Sequence, residues 1–200
     1  MYVAKVSVLP AKTTNCDEGC NGPVLLHMQE MELGRRIRTT VFCDTGANVS
    51  LLTHWLARKL GLEGTPIKIC VQFATKEPEI LDTFIYKLTL YGNGGLKKKI
   101  TFLGVKDIAS IPERVNVDAA YEVFPFVEQG DLERPTAAIG VLIGLDNVEF
   151  MPTGGALEDG HRVNGLQCMK SAFGSGWVLG GHHPGIKNKA ISMSDTTNQW

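Results

Sequence analysis

The chain has 200 residues, of which 44% are hydrophobic and 20% charged, and its formal net charge is −1 at pH 7. This length and composition suit one domain of ordinary size with a real core. The balanced charge gives no reason to expect nucleic-acid binding or attachment to an acidic membrane, and no apolar stretch approaches the roughly 20 residues that span a bilayer.

The cysteines favour a reducing compartment, because five of them are scattered along the chain and an odd number does not suit a disulfide framework. Cys16, Cys20 and His27 could suggest a metal site. Their spacing lacks the second pair of ligands that structural zinc sites use, so the sequence predicts neither a metal nor a cofactor.

The first part of the chain has the pattern of short strands. Residues 3–9, 24–29 and 37–43 are apolar or alternate between apolar and polar, which predicts strands, and the polar residues 13–23 predict a loop. With a polar turn at 34–36, the second and third strands form a hairpin.

Asp44, Thr45 and Gly46 follow the third strand directly. Such a turn presents a carboxylate at the end of a strand, where the threonine hydroxyl can tie the turn down and the glycine lets the backbone approach a neighbour closely. The tripeptide alone is a weak signal, because it also occurs in ordinary surface turns.

Residues 50–62 carry apolar side chains at helical spacing, which predicts a helix. Ser50 or Thr53 is expected to cap its start, and Gly61 is a suitable end.

Beyond this helix the pattern changes to strands. They are predicted at 67–73, 80–91, 99–105 and 137–144, with turns at 74–79 and 92–95 and irregular chain at 106–135. The last strand is an uninterrupted apolar run, which is typical of a buried strand. Asp146 behind it is expected to cap a short helix.

Three ordered blocks resemble the peptidase domain of Bel/Pao-type retrotransposon polyproteins, a retropepsin-like aspartic peptidase. They are Cys-Asp-Thr-Gly-Ala-Asn-Val-Ser at 43–50 with the following helix, Val-Leu-Ile-Gly-Leu-Asp at 141–146, and Phe-Gly-Ser-Gly-Trp-Val-Leu-Gly-Gly at 173–181. The blocks span most of the chain, whereas residues 66–135 match only in their hairpin pattern.

The resemblance implies an all-β fold with one or two short helices, a retropepsin-like acid protease barrel of a single lobe. In that fold the second apolar strand crosses beneath the catalytic turn, and its glycine, here Gly144, permits the close approach. The peptidase domain is expected at 24–181, with an N-terminal extension at 1–23 and a polar tail or linker at 182–200.

The resemblance also implies roles for single residues near the turn. Asp44, Thr45 and Gly46 would be catalytic, with Thr45 bonding across to the loop of a partner copy. Ala47 and Asn48 would lie against the substrate.

Further residues would support the site or close it. By the same resemblance, Ser50, Ile143 and Gly144 support the catalytic turn. The flap that covers the substrate is assigned to the turn at 74–79, with Thr75 and Lys76 against the substrate. Because this turn contains no glycine, the turn at 92–95 is the competing position.

Because the motif occurs once, the resemblance implies a homodimer in which each copy supplies one aspartate. No second Asp-Thr-Gly or Asp-Ser-Gly supports a pepsin-like monomer. The predicted function is an aspartic endopeptidase that cleaves a retrotransposon polyprotein through a carboxylate-activated water. Its expected partners are a second copy and a polyprotein peptide, not nucleic acid or a membrane.

The expected location is cytoplasmic and intracellular, including retrotransposon particles. The alternative function is a catalytically inactive module of the same fold that dimerises or binds peptides.

Overall fold

The computed structural model describes residues 3–6, 28–33, 37–73, 78–108, 114–115, 118–132, 138–152, 161–163, 165–173, 176–181 and 188–189. The strands are β1 (Val3–Val6), β2 (Met28–Leu33), β3 (Ile37–Cys43), β4 (Leu51–Thr53), β5 (Thr65–Phe73), β6 (Glu79–Tyr91), β7 (Lys97–Val105), β8 (Arg114–Val115), β9 (Ile139–Ile143), β10 (His161–Val163), β11 (Leu166–Lys170), β12 (Trp177–Gly181) and β13 (Asn188–Lys189). The helices are α1 (His54–Leu60), α2 (Asp118–Val123) and 3-10 helices at Asn93–Gly95 and Leu145–Phe150. The predicted fold class, mainly β with short helices and retropepsin-like, is confirmed.

The principal sheet has eight strands in the order β1-β5-β6-β7-β4-β9-β3-β2. Strand β9 lies between β3, to which it is parallel, and β4, to which it is antiparallel. All its residues are buried, as expected of an apolar strand covered on both faces. Cys43 at the end of β3 pairs with Ile143 at the end of β9, so the turn after β3 begins beside the turn after β9.

The helix predicted at 50–62 is wrong over its first residues. Leu51–Thr53 form β4, which pairs with β7 and β9, and α1 begins only at His54. Leu51 and Leu52 are buried in these pairings, so burial in the sheet outweighs the helical spacing of their side chains.

The predicted end of this helix is confirmed, and its predicted cap is wrong. Gly61 has the left-handed backbone of a helix C-terminus, with φ of 67°, and its N–H donates to the carbonyl of Arg58. Thr53 occupies the capping position without a capping hydrogen bond. Its hydroxyl donates instead to the carbonyl of Gly140 at 3.4 Å.

The central hairpins follow the predicted order. Strands β5 and β6 pair antiparallel around the predicted turn at 74–79, of which residues 74–77 lie outside the described part of the chain. Strands β6 and β7 pair around the 3-10 turn Asn93–Gly95, where the second turn was predicted.

Strand β9 contributes to two apolar clusters. Val141 and Ile143 pack into one cluster with Leu52, Phe102 and other buried residues. Leu142 packs into a second cluster, which also contains residues of β4, β5 and the turn after β3. The core therefore lies on both sides of the strand that carries the second sequence block.

A smaller sheet, β10-β11-β12, packs on α2 and lies outside the principal sheet. Phe124, Leu166 and Leu179 are the main members of this third cluster. The prediction of irregular chain at 106–135 is therefore wrong where α2 forms. The sequence did not reveal this helix because six residues are too few to show helical spacing. Strand β13 pairs with β8 in a separate two-stranded sheet.

No helix in the described part of the chain has the length and apolar composition needed to cross a membrane.

Candidate active site

The turn at 44–47 is attached to the chain that follows β9. The N–H of Asp44 donates to the carbonyl of Ile143 at 2.9 Å, and the N–H of Leu145 donates to the carbonyl of Ala47 at 2.9 Å. Within the turn, the N–H of Ala47 donates to the carbonyl of Asp44 at 3.2 Å. These bonds fix both ends of the turn, so the Asp44 side chain projects from an anchored backbone.

The Asp44 carboxyl is half buried, and its two oxygens have different surroundings. Its Oδ1 accepts a hydrogen bond from the N–H of Gly46 at 2.8 Å. Its Oδ2 is buried and has no hydrogen-bond partner among the residues that the structure describes. Burial raises the pKa of this carboxyl above its usual range, and the bond from Gly46 opposes that rise. Such a carboxyl holds its proton more readily than one on the surface and can donate it to a polar atom placed beside Oδ2.

The other residues of the motif divide by exposure. Thr45, Gly46 and Asn48 are exposed, whereas Ala47 is fully buried in the second apolar cluster. The exposed residues line the outer side of the turn, where a partner copy or a peptide could reach them. Ala47 belongs to the apolar core beneath the turn.

Ser50 joins the two sequence blocks through its side chain. Its hydroxyl donates to Oδ1 of Asp146 at 2.7 Å and accepts from the N–H of Gly144 at 3.1 Å and from Nδ2 of Asn147 at 2.9 Å. Its N–H donates to Oδ2 of Asp146 at 3.1 Å. The expectation that Asp146 caps the short helix is therefore wrong, because both of its oxygens are bonded to Ser50 and the capping position of that helix is Gly144.

Gly144 lies directly against the backbone before Ser50. A Cβ on this glycine would stand 2.6 Å from the carbonyl oxygen of Val49 and 2.9 Å from its nitrogen, so a larger residue has no room. Ile143, just before it, is fully buried, and its carbonyl is the acceptor for Asp44.

The proposed flap is only partly visible. Thr75 and Lys76 fall at 74–77 and lie outside the described residues, so they are not placed relative to Asp44. The strand that leads to them is placed, because Ile69 and Val71 of β5 pack in the same cluster as Ala47. The later part of β5 therefore shares an apolar cluster with the turn after β3.

Sequence reasoning missed Asp146 and Asn147 as part of this site. The available signal was their position, since two polar residues follow an uninterrupted apolar strand and Gly144. A single sequence does not show that their partner is Ser50, 96 and 97 positions away.

The other reactive side chains near the turn offer different chemistry. Burial raises the pKa of the Cys43 thiol to about 12, which keeps it protonated and unsuited to nucleophilic attack. Among the described residues, no group of three or more histidine, cysteine, aspartate or glutamate side chains could hold a metal ion. Cys16, Cys20 and His27 lie outside those residues.

A family model described as "Putative peptidase (DUF1758)" matches residues 28–179. The match includes the Asp44 turn, β9 and the start of β12. No curated protein and no solved structure matches the chain.

Proposed function

This chain belongs to the DUF1758 family of peptidases, and we propose that it is an aspartic endopeptidase whose catalytic group is Asp44. The observation that carries the proposal is the Asp44 carboxyl itself. It stands at the end of β3 on an anchored turn, with Oδ2 enclosed and unbonded among the described residues. A carboxyl so placed is suited to hold a water molecule or to share a proton with a second carboxyl.

The second carboxyl comes from a second copy of the chain. Asp146, the other acidic residue attached to this turn, has both oxygens engaged by Ser50 and does not face Asp44 as a partner. The motif occurs once in the sequence. A homodimer that joins the two turns supplies the missing group.

Two Asp44 carboxyls about 3 Å apart cannot both ionise at low cost, so the pair shares one proton and titrates as a unit. The ionised member takes a proton from the attacking water, and the protonated member stabilises the oxyanion that develops on the peptide carbonyl. Thr45 bonds to the partner's turn and fixes the two carboxyls. Gly46 and Asn48 face the peptide backbone.

The proposed substrate is an extended polyprotein peptide of a Bel/Pao-type retrotransposon, with apolar side chains at the cut. The apolar cluster that contains Ala47 and residues of β5 supports this, because it places apolar side chains near the turn. The turn at 74–79, including Thr75 and Lys76, is the proposed flap. The proposed domain is residues 24–181, and the proposed location is the cytoplasm.

The test compares the full 200-residue chain with Asp44→Asn on fluorogenic peptides that cover the polyprotein. Asn keeps the size of the side chain but cannot activate water, so cleavage is expected to fall by at least about 100-fold. Asp82→Asn is the matched control, because Asp82 lies on the surface, 79% exposed and paired with Lys68.

An Asp44→Asn protein that cleaves as fast as the wild type would contradict the aspartic mechanism. A wild-type protein that dimerises and binds the peptides without cutting them would favour the inactive binding module.

A further inference from the structure

The contact between Ser50 and Asp146 lies behind the Asp44 turn and includes a carboxylate that no catalytic role uses. We propose that Ser50 and Asp146 are positioning residues. Their contact fixes the Asp44 turn in the position where its carboxyl meets the partner's Asp44. The inference rests on the proposed function, because it concerns the geometry of the same site. Neither residue touches the reacting atoms.

The Ser50 hydroxyl is fully used. A hydroxyl can donate one hydrogen bond and accept two. That of Ser50 donates to Asp146 and accepts from Gly144 and Asn147 at distances of 2.7, 3.1 and 2.9 Å. Ser50 is only 1% exposed, so its own hydroxyl is shielded from water. Its side chain therefore has one favourable orientation.

The segment between Ser50 and Asp44 has little freedom to absorb a shift. The carbonyl of Ala47 is held by the N–H of Leu145, and the N–H of Asp44 is held by the carbonyl of Ile143. The backbone of Val49 lies against Gly144. A shift of Ser50 relative to the turn after β9 therefore also shifts Asp44.

A carboxylate is specifically suited to this place. Asp146 accepts from two donors of one residue, the N–H and the hydroxyl of Ser50, with one oxygen each. Asparagine offers one acceptor and one donor, so one of the two contacts would set a donor against a donor. The charge of Asp146 also strengthens both bonds.

The primary experiment is Asp146→Asn in the full chain, with kcat and KM measured on the same peptide. Displacing a reacting group by about 1 Å can cost on the order of 100-fold in rate, so kcat is expected to fall about 10- to 100-fold. KM is expected to stay near its wild-type value, because Asp146 does not contact the peptide.

Glu149→Gln is the matched control. Glu149 lies in the same 3-10 helix, and its change to glutamine removes the same charge. Its partner is Lys98 on β7, not the Asp44 turn. This variant is expected to keep the wild-type kcat.

A double variant tests whether the two residues act as one contact. Once Ser50→Ala has removed the hydroxyl, Asp146→Asn should lower kcat by much less than it does in the wild type, because the same contact is already broken. Should Ser50→Ala fail to fold, the comparison of Asp146→Asn with Glu149→Gln decides alone, since Asp146 is exposed and its change to asparagine buries nothing new.

A readout without substrate separates this inference from the proposed function. In Asp146→Asn, amide hydrogen exchange at Asp44 and Leu145 should be faster than in Glu149→Gln, because the contact holds their hydrogen bonds closed. Unchanged exchange together with a wild-type kcat would overturn the positioning role. An inactive wild-type protein with faster exchange in Asp146→Asn would overturn the proposed function and leave the contact intact.

Discussion

The Asp44 carboxyl has one oxygen bonded to its own turn and the other enclosed by protein. Water would solvate the charged form better than this site does, so ionisation of Asp44 costs more in the folded chain than in the unfolded one. The residue is kept in an environment that weakens the folded state at neutral pH. Functional sites often contain such groups.

The first prediction concerns the stability of Asp44→Asn as a function of pH. The raised pKa means that the folded wild type binds more protons than the unfolded chain above about pH 4, so its free energy of unfolding falls as the pH rises through the folded pKa. Asparagine does not titrate. The variant should therefore gain stability relative to the wild type as the pH rises, and the gain should disappear below about pH 4.

Urea unfolding at a series of pH values measures this difference, with Asp82→Asn as the control for loss of a surface carboxylate. A difference between Asp44→Asn and wild type that stays constant with pH would contradict the prediction.

Gly144 is the second residue at which a small change should have a large effect. In Gly144→Ala the new methyl group would lie 2.6 Å from the carbonyl oxygen of Val49, which is backbone and cannot turn away. Such overpacking costs about 1–3 kcal/mol, and here it also pushes on the Asp44 turn. Both the free energy of unfolding and the cleavage rate should fall.

Gly61→Ala is the control for this prediction. Gly61 has a left-handed backbone with φ of 67°, and a Cβ there meets no atom within 4 Å. The control should lose about 1–2 kcal/mol from backbone strain and keep its cleavage rate. Equal rates in Gly144→Ala and Gly61→Ala would show that the close approach does not matter for the site.

At the scale of elements, β9 organises the molecule. It pairs with both β3 and β4, and its side chains enter both clusters of the principal sheet. Its carbonyl end supplies the acceptor for the Asp44 N–H. The strand is therefore both core and support of the site.

The third prediction is that Leu142→Ala destabilises the protein by about 2–5 kcal/mol, because the side chain is fully buried and its loss leaves a cavity beside Ala47. Val148→Ala is the control, since Val148 is 61% exposed and its truncation should change stability by no more than about 0.5 kcal/mol. Chemical unfolding at one protein concentration measures both. Similar unfolding midpoints for the two variants would contradict the predicted contribution of Leu142 to stability.

The sequence was most informative where local pattern and tertiary environment agree. The strand at 37–43 and the buried run of β9 could be predicted, because apolar periodicity reflects burial directly. The helix at 50–62 was predicted too long, since Leu51 and Leu52 satisfy a helical spacing but are buried between strands that lie far away in the sequence. Short α2 gave too little pattern to detect.

The same reasoning explains what could be predicted of the site. Asp44 could be proposed from the sequence because Asp-Thr-Gly follows an apolar strand directly. Asp146 is not, because its role depends on a contact with Ser50 that only the folded chain creates.

At the scale of the whole molecule, a chain with one Asp44 turn should be active only as a dimer. The fourth prediction is that the rate per chain rises with protein concentration until dimers are saturated. In an equal mixture of wild type and Asp44→Asn, random pairing should reduce the wild-type contribution to about half of its value alone, because mixed dimers have one aspartate.

Cleavage rates at a series of dilutions, together with sedimentation of the same samples, measure both effects. A rate per chain that is independent of concentration in samples shown to be monomeric would contradict the dimeric site.

The bonds from Ser50 to Gly144, Asp146 and Asn147 join residues 94, 96 and 97 positions apart. A ribosome that adds about 5–20 residues per second needs on the order of 5–20 s to make the intervening chain. During that time the nascent chain carries Asp-Thr-Gly without the strand that anchors it, and parallel pairing of distant segments forms slowly even afterwards. The order of synthesis thus leaves the Asp44 turn without its support until Gly144, Asp146 and Asn147 have been made.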